Sequence, residues 1–217
     1  TITASGGPFL DYKLTDLQKV TPKEAVMHPT WKMGDKISVD SSTMMNKGLE
    51  IIEAKLLFNL DLSNIDAVIH RQSQVHALVD FFDGTTIAHF SQPDMRIPIS
   101  YALTFPDRLY TGSSKSFDFS NLTFEAVPIS KFPCYQIARD AAEVGKNSGL
   151  ILNAANEISV EYFLKGMIKF TDISNIINNV LDQNELCSHT DIKSIIDNDI
   201  AVRKSTKEII SKKYGIN

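Results

Sequence analysis

The stretch Lys36-Ile37-Ser38-Val39-Asp40-Ser41-Ser42-Thr43-Met44-Met45-Asn46-Lys47-Gly48-Leu49-Glu50 changes its period in the middle. Its first five residues alternate polar and apolar, as a half-buried strand does. From Thr43 onward, Met45, Leu49, Ile52, Leu56 and Leu57 recur at helical spacing. The pattern predicts a strand over 36–40 followed by a helix over 43–58, capped by Ser41 or Ser42. In that helix Asn46 and Glu50 are four apart and Lys47 and Glu50 three apart, so the three share a surface.

Upstream, Thr21-Pro22-Lys23-Glu24 reads as a helix start with a capping box and proline at the first helical position. That helix must stop near His28-Pro29, because the residue before proline is pushed out of the α region. Residues 28–35 then form a loop with Trp31, Met33 and Gly34. Downstream, 67–70, 75–82 and 85–90 read as strands, with Asp83-Gly84 as a two-residue hairpin turn. Four prolines (Pro93, Pro98, Pro106, Pro128) and Gly112-Ser113-Ser114 mark 93–129 as loop or linker. From Phe132 the chain reads as helices over 135–144, 154–165, 172–181 and 191–214. Gly145 and Gly166 serve as stops, and Thr171 and Asn153 or Asn156 as caps. The expected fold is α+β: a small sheet with an antiparallel hairpin packed by helices over 1–94, a connection over 95–130, and a helical bundle over 131–217.

Composition narrows the function. Of 217 residues, 43% are hydrophobic and 22% charged, with net charge −4. That balance argues against a broad nucleic-acid surface. No apolar run reaches the ~18 residues a membrane helix needs. Two cysteines, Cys134 and Cys187, are too few for a disulfide framework or a cysteine-based zinc site. No Gly-x-Gly-x-x-Gly, Walker loop, Gly-x-Ser-x-Gly or His-Glu-x-x-His occurs. The first residue is not Met, and the expectation is a piece of a longer or processed chain.

Two places could bind an anion. A helix start beside Ser41, with Asn46 and Lys47 on its first turn, offers N–H groups, a hydroxyl, an amide and an ammonium. Glu50, one turn deeper, suits a hard cation such as Mg²⁺ or Mn²⁺. The same residues also fit a capped helix with an exposed ion pair. Ser5-Gly6-Gly7-Pro8 could form a backbone nest or simply a turn. Trp31 and Met33 fit a lid over a ligand or a hydrophobic plug. His70 and His76 are six apart, which is no metal motif, and read as one structural and one exposed histidine.

Taken together, Thr3-Ala4-Ser5-Gly6-Gly7-Pro8-Phe9, His28-Pro29-Thr30-Trp31-Lys32-Met33-Gly34, the run from Lys36 to Glu50, Pro93-Asp94-Met95-Arg96-Ile97-Pro98-Ile99 and Leu152-Asn153-Ala154-Ala155-Asn156-Glu157 resemble the 1-deoxy-D-xylulose 5-phosphate reductoisomerase family. The resemblance runs in order along the chain. It implies rearrangement and NADPH-dependent reduction of 1-deoxy-D-xylulose 5-phosphate to 2-C-methyl-D-erythritol 4-phosphate, with Mg²⁺ or Mn²⁺, in non-mevalonate isoprenoid synthesis. It implies that Ser5, His28, Ser41, Asn46, Lys47 and Glu50 bind substrate, and that Glu50, Lys47 and His28 carry the chemistry. Glu50 would be a metal ligand, Gly34 would touch NADPH, Trp31 and Met33 would form the lid, and His76 would lie near the site. The family has a nucleotide-binding domain and an Asp-x-Glu pair of metal ligands ahead of the position matched by Ser5, and these 217 residues hold neither. Arg71 and Gln74 stand where the family has apolar or proline-like residues.

The resulting expectation is the catalytic and C-terminal part of such a reductoisomerase, inactive by itself. The alternative is a free-standing sugar-phosphate-binding module without redox activity. The family resemblance further implies a homodimer, for which the hairpin ending near Phe90 could supply a sheet edge. It places the protein in a bacterial-type cytoplasm or, after processing, a plastid-type organelle.

Overall fold

The computed structural model describes residues 1–27, 33–112, 117–188 and 191–215. The chain forms two compact units, each built from separate stretches. One takes 1–6 and 66–127, the other 7–65 and 128–217. The units therefore do not follow the expected borders at 94 and 131. The sheet and most of the helices segregate, as in the α+β class, but the helices around Ser41 join the C-terminal helices rather than the sheet.

The first unit is a mixed sheet of β1 (Ile2–Ala4), β2 (Ala67–Ile69), β3 (Val75–Asp80), β4 (Thr86–Phe90) and β5 (Glu125–Ala126), in the order β4-β3-β1-β2-β5. β1 runs parallel to β2, with Ala4 opposite Ile69, and antiparallel to β3. The β3–β4 hairpin is present, but its turn is not the two-residue form expected from Asp83-Gly84. The Phe81 carbonyl accepts from the Gly84 N–H at 3.0 Å, and the Phe81 N–H donates to the Thr85 carbonyl at 2.9 Å. Gly84 sits at φ +86°. This is a three-residue loop closed by a glycine bulge. The stretch read as linker supplies α4 (Arg96–Thr104) and β5. The departure at Arg71 is answered there, because its guanidinium pairs with Glu125 of β5 at 2.7 Å.

The second unit is helical: α1 (Pro22–Ala25), α2 (Asp35–Ser42), α3 (Met45–Phe58), α5 (Pro133–Val144), α6 (Ser148–Leu164), α7 (Asp172–Gln183) and α8 (Ile192–Tyr214). The capping box on α1 is formed: the Thr21 hydroxyl accepts from the Glu24 N–H, and the Glu24 carboxylate accepts from the Thr21 N–H. The expected strand over 36–40 is instead α2. Its buried face is Ser38, Val39, Asp40 and Ser42, while Ile37 is exposed. The Ser38 hydroxyl donates to the Gly34 carbonyl and the Ser42 hydroxyl to the Val39 carbonyl. With their polarity satisfied by the helix itself, small serines can face a core.

α6 is the central helix of this unit, buried at Ile151, Leu152, Ala154, Ala155, Ile158 and Phe163. It begins at Ser148, so Asn153 and Asn156 are interior residues and not caps. Thr171 makes no side-chain cap on α7; the carboxylate of Asp172 accepts from the Lys169 N–H instead. α5 and α7 bury one stripe each against this core, as amphipathic helices do. Phe9 completes it from the N-terminal side, 5.2 Å edge-on to Phe170.

Candidate functional site

The candidate site is built on the bend between α2 and α3. Ser41 lies in the last turn of α2 and caps nothing. The N-cap of α3 is Met44, fully buried and left-handed at φ 62°, ψ 10°. A non-glycine residue there costs about 1–2 kcal/mol, so the surroundings must hold it in place. They do so from both sides. The Met44 N–H donates to the Ser41 carbonyl at 3.2 Å, closing α2, and its own carbonyl accepts from the Gly48 N–H at 3.2 Å, opening α3. The Thr43 hydroxyl donates to the Asp40 carbonyl and accepts from the Met45 N–H at 3.3 Å. Gly7, at φ +67°, comes so close that a β-carbon would stand 2.8 Å from the Ser41 carbonyl oxygen.

The first turn of α3 then presents the polar group anticipated from spacing. The Asn46 amide donates to one Glu50 oxygen at 2.6 Å, and the Lys47 ammonium to the other at 2.6 Å. The Lys47 side chain is only 13% exposed. Ser42 and Thr43 commit their hydroxyls to carbonyls, whereas Ser41 makes no such bond among the described residues. A hydroxyl, an amide and the ammonium of a largely buried lysine thus belong to one bend. Each of these groups can donate a hydrogen bond to an anion, the ammonium as a point charge.

Beneath the bend lies a group that the sequence reading missed. Asp40, 1% exposed, accepts from the Lys36 ammonium at 2.7 Å and from the amide of buried Asn156 on α6 at 2.8 Å. Burial pushes the Asp40 carboxyl up, against the hydrogen bonds from Asn156 and Lys36. Burial also pushes the nearby Cys134 thiol up to about 12, with the Asp40 charge adding to it. The adjoining Glu157 pairs with Arg203 of α8 at 2.7 Å. The available signal was the spacing of four between Lys36 and Asp40, which pairs them only if 35–42 is read as a helix.

The sequence matches the family described as "DXP reductoisomerase C-terminal domain" over residues 90–205, and "1-deoxy-D-xylulose 5-phosphate reductoisomerase C-terminal domain" over 1–58. The chain belongs to the 1-deoxy-D-xylulose 5-phosphate reductoisomerase family. A relative of that name from Pelotomaculum thermopropionicum is 47% identical over 212 residues, covering 96% of this chain and 54% of the relative. One from Listeria welshimeri is 45% identical, over 96% of this chain and 56% of the relative. Among solved structures, the reductoisomerase from Zymomonas mobilis in complex with NADPH is similar at TM-score 0.89 and 38% identity, over 96% of this chain and 54% of that one. A reductoisomerase in complex with NADPH, fosmidomycin and magnesium is similar at TM-score 0.88 and 42% identity, over 97% and 54%. The chain spans about half the length of the curated relatives it matches.

The other residues singled out by the reductoisomerase resemblance are placed as follows. Gly34 is the N-cap of α2, its carbonyl accepting from the Ser38 N–H at 3.1 Å, and Met33 is half-buried just before it. His28 and Trp31 lie outside the described residues. Ser5 belongs to the sheet unit, and Ser41, Asn46, Lys47 and Glu50 to the helical unit. His70 is fully buried, its Nδ1 2.9 Å from the Thr123 carbonyl and its ring stacked on Phe124. His76 is half-buried, with Nε2 2.9 Å from the Ser91 carbonyl, so it is not the exposed histidine expected of the pair.

A divalent cation of the magnesium type takes about six oxygen ligands. Both Glu50 oxygens already accept hydrogen bonds. Among the described residues, no three His, Cys, Asp or Glu side chains gather as a metal group. The described residues do not by themselves fit a complete metal site.

Proposed function

We propose that this chain supplies the substrate-phosphate site of a 1-deoxy-D-xylulose 5-phosphate reductoisomerase, which forms 2-C-methyl-D-erythritol 4-phosphate with NADPH and a divalent cation. The observation that carries this reading is the clustering of Ser41, Asn46 and Lys47 on one strained bend. Lys47 and Asn46 bind and orient the phosphate, with the Ser41 hydroxyl as a third donor. Glu50 holds the ammonium and the amide in place before the ligand arrives. A cation held at Glu50 needs further ligands from outside the described residues. The parts given to Ser5, His28, Trp31, Met33, Gly34 and His76 rest on the family resemblance.

Calorimetry of the 217-residue chain with 1-deoxy-D-xylulose 5-phosphate tests the reading. Binding that Lys47→Ala weakens about a hundredfold is expected, the scale of a lost charge-assisted contact. Absent binding, or binding indifferent to Lys47→Ala, overturns it. Turnover is tested by joining this chain behind the N-terminal half of a relative and following NADPH oxidation. Turnover abolished by Lys47→Ala supports the enzyme reading, and phosphate binding with no turnover in a folded chimera favours the binding module.

The chain is further proposed to act as a homodimer. β4 is a terminal strand of the sheet, and Ile87 on it is exposed together with Val79 and Phe81 on β3 and its turn. Such an apolar edge is a pairing surface. Sedimentation giving a monomer at high concentration overturns this. Among the described residues no helix is long and apolar enough to cross a membrane. The proposed location is a bacterial cytoplasm or a plastid-type organelle, which fractionation of the source cells decides.

A further inference from the structure

We propose that Asp40 is a positioning residue for the anion cradle, its buried side chain fixing the α2–α3 bend against Asn156 of α6. The inference rests on the cradle reading and gives it a mechanism. A continuous path joins the two. Asn156 donates to the Asp40 carboxylate at 2.8 Å, and Lys36 pairs with the other oxygen at 2.7 Å. The Asp40 carbonyl accepts from the Thr43 hydroxyl, whose oxygen accepts from the Met45 N–H, the first residue of α3. Ser41 follows Asp40 directly, and Asn46 and Lys47 follow Met45. A shift of Asp40 is therefore carried into every residue of the cradle.

The arrangement is costly if it serves only to hold the fold. A carboxylate beside an anion site repels the ligand, and its own burial disfavours the charge. An uncharged amide of the same shape keeps the Asn156 contact, and Lys36 is exposed enough to return its ammonium to water. What the amide loses is the charge-assisted grip of two donors on one carboxylate, which fixes direction as well as distance. Met44, left-handed, buried and placed in the chain after Asp40 and before Lys47, is the residue whose strained backbone needs that fixation.

The roles separate when binding and stability are read on one variant. Inorganic phosphate is titrated into the 217-residue chain by phosphorus NMR, and thermal unfolding is followed on the same samples. For Asp40→Asn the expected result is affinity weaker by about tenfold with an unfolding midpoint unchanged or raised. Lys47→Ala serves as the control for the cradle. Unchanged affinity in Asp40→Asn, beside a loss in Lys47→Ala, overturns the positioning role and leaves the cradle standing. Loss of affinity together with a lowered midpoint also overturns it, since Asp40 would then only hold the fold. No phosphate binding by the unaltered chain overturns both, and identifies the cradle reading as the one that failed.

Discussion

Gly48 on α3 faces Ala138 on α5 so closely that a β-carbon on Gly48 would overlap the Ala138 methyl. Glycine inside a helix costs about 1 kcal/mol relative to alanine. Here that cost lets the helix that carries Asn46, Lys47 and Glu50 pack its backbone against the Ala138 methyl of α5. Gly48→Ala should therefore destabilise the chain by about 1–3 kcal/mol, the range of overpacking, although alanine is the better helix former. Adding Ala138→Gly should restore most of the loss. Urea unfolding of the single and double variants checks this, and a stabilised Gly48→Ala would refute the close crossing.

Met44 gives a second test, in which the usual order of alanine and glycine is reversed. Met44→Ala removes a fully buried side chain, at a cost of about 2–5 kcal/mol. Met44→Gly removes the same side chain but releases the left-handed strain. Met44→Gly should be the more stable of the two by about 1 kcal/mol. Equal midpoints, or the opposite order, would show that the bend carries no strain at Met44.

The Asp40 carboxyl sets a pH dependence. Its pKa is raised above the ordinary 3.8 by burial, against Lys36 and Asn156, with Glu157 adding to the rise. Cys134, which also feels the Asp40 charge, stays protonated. A raised carboxyl binds its proton more tightly in the folded chain. Its stabilisation is complete below the unfolded value and is lost as pH rises through the folded one. The stability of Asp40→Asn relative to the unaltered chain should therefore grow as pH rises above the ordinary 3.8 and through the raised folded value. A difference that is flat with pH, or shrinks, would contradict the raised carboxyl.

The two cysteines should react very differently. Cys134 is buried, with its thiol pushed up to about 12, and Cys187 is exposed. The thiolate is the reactive form, so only Cys187 should be alkylated in the native chain near neutral pH. Both should react in denaturant. Mass spectrometry of the native and denatured reactions reads this directly, and native labelling of Cys134 would mean that α5 opens.

Much of the candidate site could be read along the chain, because its residues are local to one helix. Asn46, Lys47 and Glu50 share a face through helical spacing, and they meet as that spacing predicts. The capping box at Thr21 and the helix ends at Gly145 and Gly166 are likewise local chemistry. The stretch 36–42 misled because its buried face is made of serines and an aspartate. Hydrophobic periodicity does not register side chains whose polarity is satisfied by the helix or by a distant partner.

The sequence by itself determined the α+β class, most of the helices, the hairpin, and the meeting of Asn46, Lys47 and Glu50 on one helix face, since each depends on neighbours within a few positions. Only the tertiary structure decided three further things. It sorted 7–65 with 128–217 into one helical unit. It buried Asp40 against Asn156, 116 positions away. It bent the chain through a left-handed Met44. The physical reason is common to all three: a buried charge, a glycine crossing and a strained backbone are tolerated only where packing from remote segments supplies the compensating contacts.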